Sequence, residues 1–510
     1  MPRCLTLLCL AGLGLNLSLA GWVPAAEKLA FEVTLDRSVA EAGITGRLFV
    51  FLSQQTDREP RFGPNWYSPE PFFGVEVRSF EPGQTRRVDD SADGFPGPLS
   101  TLTPGKYRVQ ALLDHDFDNP HHARGVGNLY SGVTEMALDP AKPRTIALVL
   151  NQMVKERPFE TTRFIQQVVF KSELLSKFHR RKVVDRCAVV LPANYYDNPR
   201  KRYPTLYVVP GFGGSHHPSR RYARGAKADA GEVDFIRVYL SGRCKWGHHV
   251  YADSATNGPR GQSLIEELIP AVDKKYRTIP AATARFVTGH SSGGWSSLWL
   301  QVSYPDVFGG VWSTSPDPVD FRDYQQVNLY ADPPLSLYTD AEGGRRPIAR
   351  RVRKEGARVV ARPVLWYDSF GRMDDCLGRG GQLRSFEAVF SPAGDDGQPR
   401  KLWDRKTGRI DPAVATAWQK YDIHLVLRRN WKTLGPKLRG KLTIITGELD
   451  TYYLEGAVRK LAASLKELGS DAIVEIVPGK DHGTVLTAAL FSRMRREMSA
   501  KYIEHHADGK

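Results

Sequence analysis

At 510 residues the chain exceeds one average domain and has room for about two to four, so a sizeable core is easily buried. A charged fraction of 25% and a hydrophobic fraction of 41% are those of an ordinary soluble globular protein and exclude a chain dominated by disordered tails. The formal net charge of +15 suits acidic surfaces such as an anionic polysaccharide or a cell envelope, but it does not indicate nucleic acid. The basic residues are spread along the chain, and no helix-turn-helix, zinc-finger or aromatic RNA-binding pattern accompanies them.

The chain begins Met1-Pro2-Arg3 and continues with an apolar run from Cys4 to Ala20, with small-residue sites at Ser18-Leu19-Ala20 and Val23-Pro24-Ala25. This pattern predicts a secretory leader over residues 1–26 and hence an exported protein, periplasmic or secreted. No later stretch approaches the roughly 18 uninterrupted apolar residues a membrane span needs, so no stable membrane anchor is expected. After the leader only Cys187, Cys244 and Cys376 remain. Three thiols give no disulfide framework, and isolated buried cysteines are expected; Cys244 and Cys376 are the pair that could bridge if their loops met.

Residues 27–151 alternate in the manner of strands at Leu29 to Leu35, Arg47 to Leu52, Gly74 to Val77, Tyr107 to Leu113 and Thr145 to Leu150. Turn signals such as Thr103-Pro104-Gly105-Lys106 separate them, so a small all-β, antiparallel sandwich is predicted. Within it Asp114, Asp116, Asp118 and Asn119 have alternating oxygen-ligand spacing, but no glycine or glutamate falls where a calcium loop requires it. An acidic turn is expected there.

From residue 158 to 505 the pattern becomes α/β. Strand-like runs at Val183 to Leu191, Thr205 to Val209, Phe235 to Leu240, Ala284 to Thr288, Gly310 to Ser313, Leu442 to Thr446 and Ala472 to Val477 alternate with helical segments at Gln262 to Tyr276, Trp295 to Ser303 and Leu454 to Leu468. That alternation predicts a mostly parallel sheet. The Asp-, Arg-, Gly- and Pro-rich stretch of about 316–440 interrupts it, as a lid or as a surface elaboration.

Gly289-His290-Ser291-Ser292-Gly293-Gly294 lies between the strand Arg285 to Thr288 and the helix from Trp295. A serine nucleophile needs a sharp strand-to-helix turn to expose its Oγ, which makes Ser291 the candidate nucleophile. Acyl transfer also needs a base, a carboxylate to orient it and donors for the oxyanion. Asp450, in Gly447-Glu448-Leu449-Asp450, follows directly on a strand and is the candidate acid, with Glu448 its local competitor. Of thirteen histidines, His482 in the loop Pro478 to Thr484 follows both the acid and the last strand, so it is the candidate base. The glycine-rich end of an early strand, Pro210-Gly211-Phe212-Gly213-Gly214, predicts oxyanion donors at the backbone N–H of Phe212 and of Ser292.

Together, Gly211-Phe212-Gly213-Gly214, Asn257-Gly258-Pro259, Gly289 to Gly294, Gly447-Glu448-Leu449-Asp450 and Asp481-His482-Gly483 resemble the putative esterase family of the α/β-hydrolase superfamily, which includes esterase D-like enzymes, feruloyl esterases, enterochelin esterases and mycolyltransferases. The resemblance covers roughly Arg163 to Tyr502. It implies an α/β-hydrolase fold and a serine esterase in which Ser291, Asp450 and His482 act as nucleophile, orienting acid and base. Pro210 and Ser292 depart from the family's frequent His and Met, without removing a backbone donor. His216, His217, His248, Tyr251 and Asp253 stand in loops expected near the site and are candidate pocket residues; the paired histidines, His249 included, lack the companions of a metal site.

The sequence therefore predicts an exported carboxylic ester hydrolase acting through a Ser-His-Asp triad and an acyl-enzyme, with neither cofactor nor metal, on a small-molecule or polysaccharide ester. A siderophore esterase, a superfamily peptidase, an acyltransferase and a non-catalytic carbohydrate-binding protein on this scaffold are the alternatives. No propeller repeat precedes the hydrolase region as a peptidase of this type would have, and no triad member is lost as a pure binder would show.

Overall fold

The computed structural model describes residues 28–506 except 117, 219–222 and 357. Residues 1–26, read above as a leader, lie outside the described residues. Among the described residues no helix is long and apolar enough to cross a membrane.

The N-terminal part forms a nine-stranded sheet from β1 (Ala30–Leu35), β2 (Ile44–Ser53), β3 (Phe72–Phe80), β4 (Thr85–Val88), β5 (Asp93–Phe95), β6 (Gly105–Asp114), β7 (Leu129–Ser131), β8 (Thr134–Leu138) and β9 (Thr145–Met153). It departs from the antiparallel sandwich expected from sequence in two ways. The strands are hydrogen-bonded into one sheet of order β4-β1-β9-β7-β6-β2-β3-β5, with β8 on β6, and β1 pairs with β9 in parallel. The period-2 alternation of β2 explains why one sheet suffices. Leu48, Val50 and Leu52 point into an apolar cluster shared by the strands from β4 to β3 in that order and by β8, so the sheet wraps around its own core. Phe49 and Phe51, on the other face, belong to the cluster that also holds the core of the C-terminal part.

That second part is built on an eight-stranded sheet of β10 (Ile165–Lys171), β11 (Val184–Val190), β12 (Thr205–Val209), β13 (Ile236–Tyr239), β16 (Arg285–His290), β17 (Gly310–Thr314), β20 (Leu442–Gly447) and β21 (Ile473–Val477). The hairpin β14 (Arg243–Cys244) and β15 (Gly247–His248) lies outside it, as does the hairpin β18 (Pro347–Glu355) and β19 (Arg358–Trp366). The order is β10-β11-β13-β12-β16-β17-β20-β21, and the sheet is mixed. The pairings β10–β11 and β11–β13 are antiparallel, whereas the pairings from β13 through β21 are parallel. Parallel neighbours need a long crossover connection, whereas the antiparallel edge pair β10–β11 is joined by a short return through the helix Glu173–His179.

The stretch Gln262 to Tyr276 is helical, but not uniformly α: a π-turn over Leu264–Leu268 separates Arg260–Ser263 from Ile269–Lys275. The 316–440 stretch contributes β18, β19 and the helices Tyr367–Leu377, Gln382–Phe390, Pro412–Trp418 and Ile423–Leu438. Their buried faces, with Phe386, Phe390 and Trp418, join the same core. Cys187, Cys244 and Cys376 are free and buried.

Candidate active site

The parallel strands end on one side of the sheet, so β12, β16, β17 and β20 deliver their following loops to neighbouring positions. Ser291 stands where β16 meets the helix Ser292–Ser303, with φ 62° and ψ −127°. A non-glycine residue with positive φ is uncommon and is strained unless its surroundings hold it. Here its N–H donates to the Thr314 carbonyl at 3.0 Å, and its carbonyl accepts from Trp295 at 3.0 Å. Such a tight turn brings Gly289 against Gly293: a Cβ on Gly289 would lie 2.1 Å from the Gly293 carbonyl oxygen. One on Gly293 would lie 2.3 Å from the Val209 oxygen, just before the glycine-rich loop Gly211 to Gly214.

Asp450 follows β20, is fully buried, and accepts a hydrogen bond at its Oδ2 from Nδ1 of His482 at 2.8 Å. Its Oδ1 takes the Tyr452 N–H at 2.9 Å, so both oxygens are held. Glu448, the local competitor, turns to the Gly479 N–H at 2.9 Å. The imidazole of His482 is boxed by the rings of His290 and Tyr452, at 4.4 and 4.9 Å between centroids. Burial works to lower the His482 pKa, but the charge and hydrogen bond of Asp450, helped by Asp317 and Asp481, outweigh it and hold the group above its usual value. Neighbouring His290 is pushed the other way, down to about 3, by burial and by His482.

Ser291 and His482 line one cavity of about 310 Å³ together with Gly211 and Phe212 of the glycine-rich loop. Gly211 is packed close to the elbow, since a Cβ there would sit 3.1 Å from the His290 carbonyl oxygen. The 316–440 stretch forms much of the wall through Ile348, Leu365, Phe370, Gln382, Leu383 and Phe386. The N-terminal sheet reaches the cavity as well: Trp66 and Tyr67, in the loop between β2 and β3, line it, Trp66 against Phe370 at 4.6 Å and Tyr67 bonded to the Tyr452 hydroxyl at 2.7 Å.

Asp317 was not anticipated from the sequence. It follows β17 as Asp450 follows β20, lines the cavity, is buried, and its Oδ2 has no hydrogen-bond partner. Burial raises its pKa to about 6, against the hydroxyls of Ser292 and Ser291 and the charge of His482. Position after a strand end was the available signal, but only the adjacency of β16, β17 and β20 brings that carboxyl to the elbow.

The expected pocket residues are not on this cavity. His248 lies beneath the glycine-rich loop: its Nε2–H donates to the Pro210 carbonyl at 2.9 Å while Nδ1 accepts from the Val250 N–H, and burial pushes it down to about 4. Tyr251 donates to the Ser241 carbonyl, as does His249, and Asp253 accepts from the N–H groups of Gly261 and Gln262 at the start of a helix. His216 and His217 line a separate cleft. The segment from His248 to Asp253 spends its polar side chains on backbone partners within the protein and so misses the cavity. The acidic turn at Asp114 is spent on Arg379, at 2.6 Å, and on Asn128. No group of three or more potential metal ligands converges among the described residues.

No curated protein matches the chain in sequence. Among solved structures it is similar to a ferulic acid esterase at 13% identity, covering 66% of this chain and 98% of that one with a TM-score of 0.41. It is also similar to the fluorophosphonate-binding serine hydrolase FphF of Staphylococcus aureus (13%, 66% and 98%, TM-score 0.38) and to an S-formylglutathione hydrolase from Agrobacterium tumefaciens (13%, 67% and 98%, TM-score 0.39). The family model described as Putative esterase matches residues 185–429, a segment that contains the glycine-rich loop, the Ser291 turn and most of the cavity wall.

Proposed function

We propose that the chain is an exported serine esterase that cleaves carboxylic esters through an acyl-enzyme. The observation that carries the reading is the Asp450–His482 hydrogen bond at 2.8 Å, opening on the same cavity as the positive-φ Ser291. In this reading Nε2 of His482 takes the proton of the Ser291 hydroxyl as Oγ attacks the ester carbonyl. Asp450 holds Nδ1–H and stabilises the imidazolium. The N–H groups of Phe212 and Ser292 take the oxyanion, with His248 bracing the loop from below. Collapse of the tetrahedral species expels the alcohol, protonated by His482, and leaves the acyl group on Ser291. Water, deprotonated by His482, then attacks and releases the acid.

The wall of Trp66, Phe212, Phe370, Phe386 and Leu383 suits an apolar or aromatic acyl group, and the cavity is within the roughly 300–1,000 Å³ of small-molecule sites. The leader-like N-terminus supports export, and the N-terminal sheet is then a domain that closes one side of the pocket, with the 316–440 stretch as a fixed lid. An ester on a polysaccharide fits export and net charge. The test is p-nitrophenyl acetate turnover by wild type and Ser291→Ala. A fall of at least about 10³-fold is expected; equal rates would remove Ser291 from the chemistry.

A further inference from the structure

Between the N-terminal sheet and the hydrolase sheet lies a second, larger cleft of about 1040 Å³. Its wall carries Arg124, Lys155, Arg157, Arg186 and Arg243, none of which has an ion pair among the described residues. Arg61 is there too, but Glu59 neutralises it at 2.8 Å; Glu156 and Glu160 are the acidic groups on the wall. The unpaired cations outnumber these acids and repel one another: burial and the nearby Arg124 lower the Arg243 pKa. Like charges gathered this way stabilise the fold poorly and favour an anionic occupant.

A second observation comes from His216. Its ring is buried in the wall, stacked on Phe159 at 5.6 Å and 9°, and its Nδ1 has no hydrogen-bond partner. Burial, then His217, Arg186 and Arg243, push it down to about 3, so it is a neutral group with a polar atom to satisfy. Phe62, Tyr130 and Phe159 add aromatic rings to the same wall, the first two with the Arg61 guanidinium over one face and Phe159 with His216 on one of its own.

The cleft is also wired to the oxyanion loop. Ser215, His216 and His217 follow directly on Gly211 to Gly214, and the Arg243 guanidinium donates to the Gly213 carbonyl at 3.0 and 3.3 Å. We propose that this cleft binds the carboxylate-bearing chain of an acidic glycan, a polyuronate, and holds it so that an ester on the chain reaches Ser291. Regularly spaced carboxylates match the spread of cations, sugar rings match the aromatic faces, and such chains carry the carboxylic esters that nucleic acids lack. The ester part of this inference rests on the esterase reading above; the binding part does not.

The experiment measures binding of a hexameric oligouronate by calorimetry, with a neutral xylo-oligosaccharide, a single-stranded DNA oligonucleotide and inorganic phosphate as comparison probes. The protein is wild type, Ser291→Ala and the double variant Arg124→Gln/Arg186→Gln, whose side chains are exposed. Wild type and Ser291→Ala should bind the oligouronate equally, and the double variant about tenfold more weakly. Affinity should fall as salt rises. On an acetylated oligouronate the double variant should lose about tenfold in kcat/KM through KM, with p-nitrophenyl acetate turnover unchanged. Equal oligouronate binding by wild type and double variant overturns the proposal, as does equal or tighter binding of the neutral oligosaccharide or DNA, or binding of phosphate alone. Turnover retained by Ser291→Ala would overturn the esterase reading while leaving the binding result to stand or fall separately.

Discussion

At the residue scale, the site holds two buried carboxyls around one imidazole, and their surroundings divide their roles. Both oxygens of Asp450 are bonded, one of them to Nδ1 of His482, whereas Asp317, which also lines the cavity, has an Oδ2 without a hydrogen-bond partner. Asp317 nonetheless helps hold the His482 pKa above its usual value. His482 must be neutral to accept the Ser291 proton, so activity should be lost as pH falls through that raised value. Asp317→Asn removes a negative charge and lowers the His482 pKa, so the acid limb of kcat/KM for p-nitrophenyl acetate should move to lower pH. The two groups interact, so the limb reports the pair. An unmoved limb, or one moved to higher pH, contradicts this account; Asp450→Asn should instead cost about 10⁴-fold in kcat. That Asp450 bonds His482 and that His482 shares a cavity with Ser291 was legible, because glycine spacing and strand ends mark such positions. Asp317 was not, because nothing in the order of residues tells that β17 lies between β16 and β20.

At the element scale, the Ser291 turn forms only because helix, strand and glycine-rich loop approach more closely than side chains allow. Gly293 packs on the carbonyls of Val209 and Pro210, so Gly293→Ala must push the helix from the loop that carries Phe212. Overpacking of this kind costs about 1–3 kcal/mol. We expect a lower urea midpoint with unchanged slope and a larger loss in kcat than stability alone explains. Wild-type stability and kcat would show the turn to be looser than described. The strands of the hydrolase sheet were legible within a residue or two, since buried apolar runs bounded by turns have few other uses. The edge strand β10 and the hairpin β18–β19 were missed: β10 pairs on one side only, and much of the β18–β19 hairpin is exposed, so neither carries a long apolar run.

At the scale of the whole molecule, the N-terminal sheet is part of the pocket. Phe49, Phe51 and Phe72 share the core of the hydrolase part, and Arg47 crosses to the Cys376 carbonyl at 2.8 Å. Trp66 and Tyr67 close the cavity from that side. Trp66→Ala should therefore raise KM for aryl esters several-fold with kcat little changed, as loss of binding common to ground and transition states; an unaltered KM would place the substrate elsewhere. A sequence read locally could locate the β-region but not its contribution, because the contact joins residues some three hundred positions apart, such as Trp66 and Phe370.

The central claim is that Ser291 is a nucleophile activated by His482. Active-site titration with a fluorophosphonate probe, followed by intact mass and peptide mapping, tests it most directly. The account predicts one equivalent of label, on Ser291, with labelling slowed by orders of magnitude in His482→Ala. Labelling at another residue, or equally fast labelling of Ser291 in His482→Ala, would contradict it.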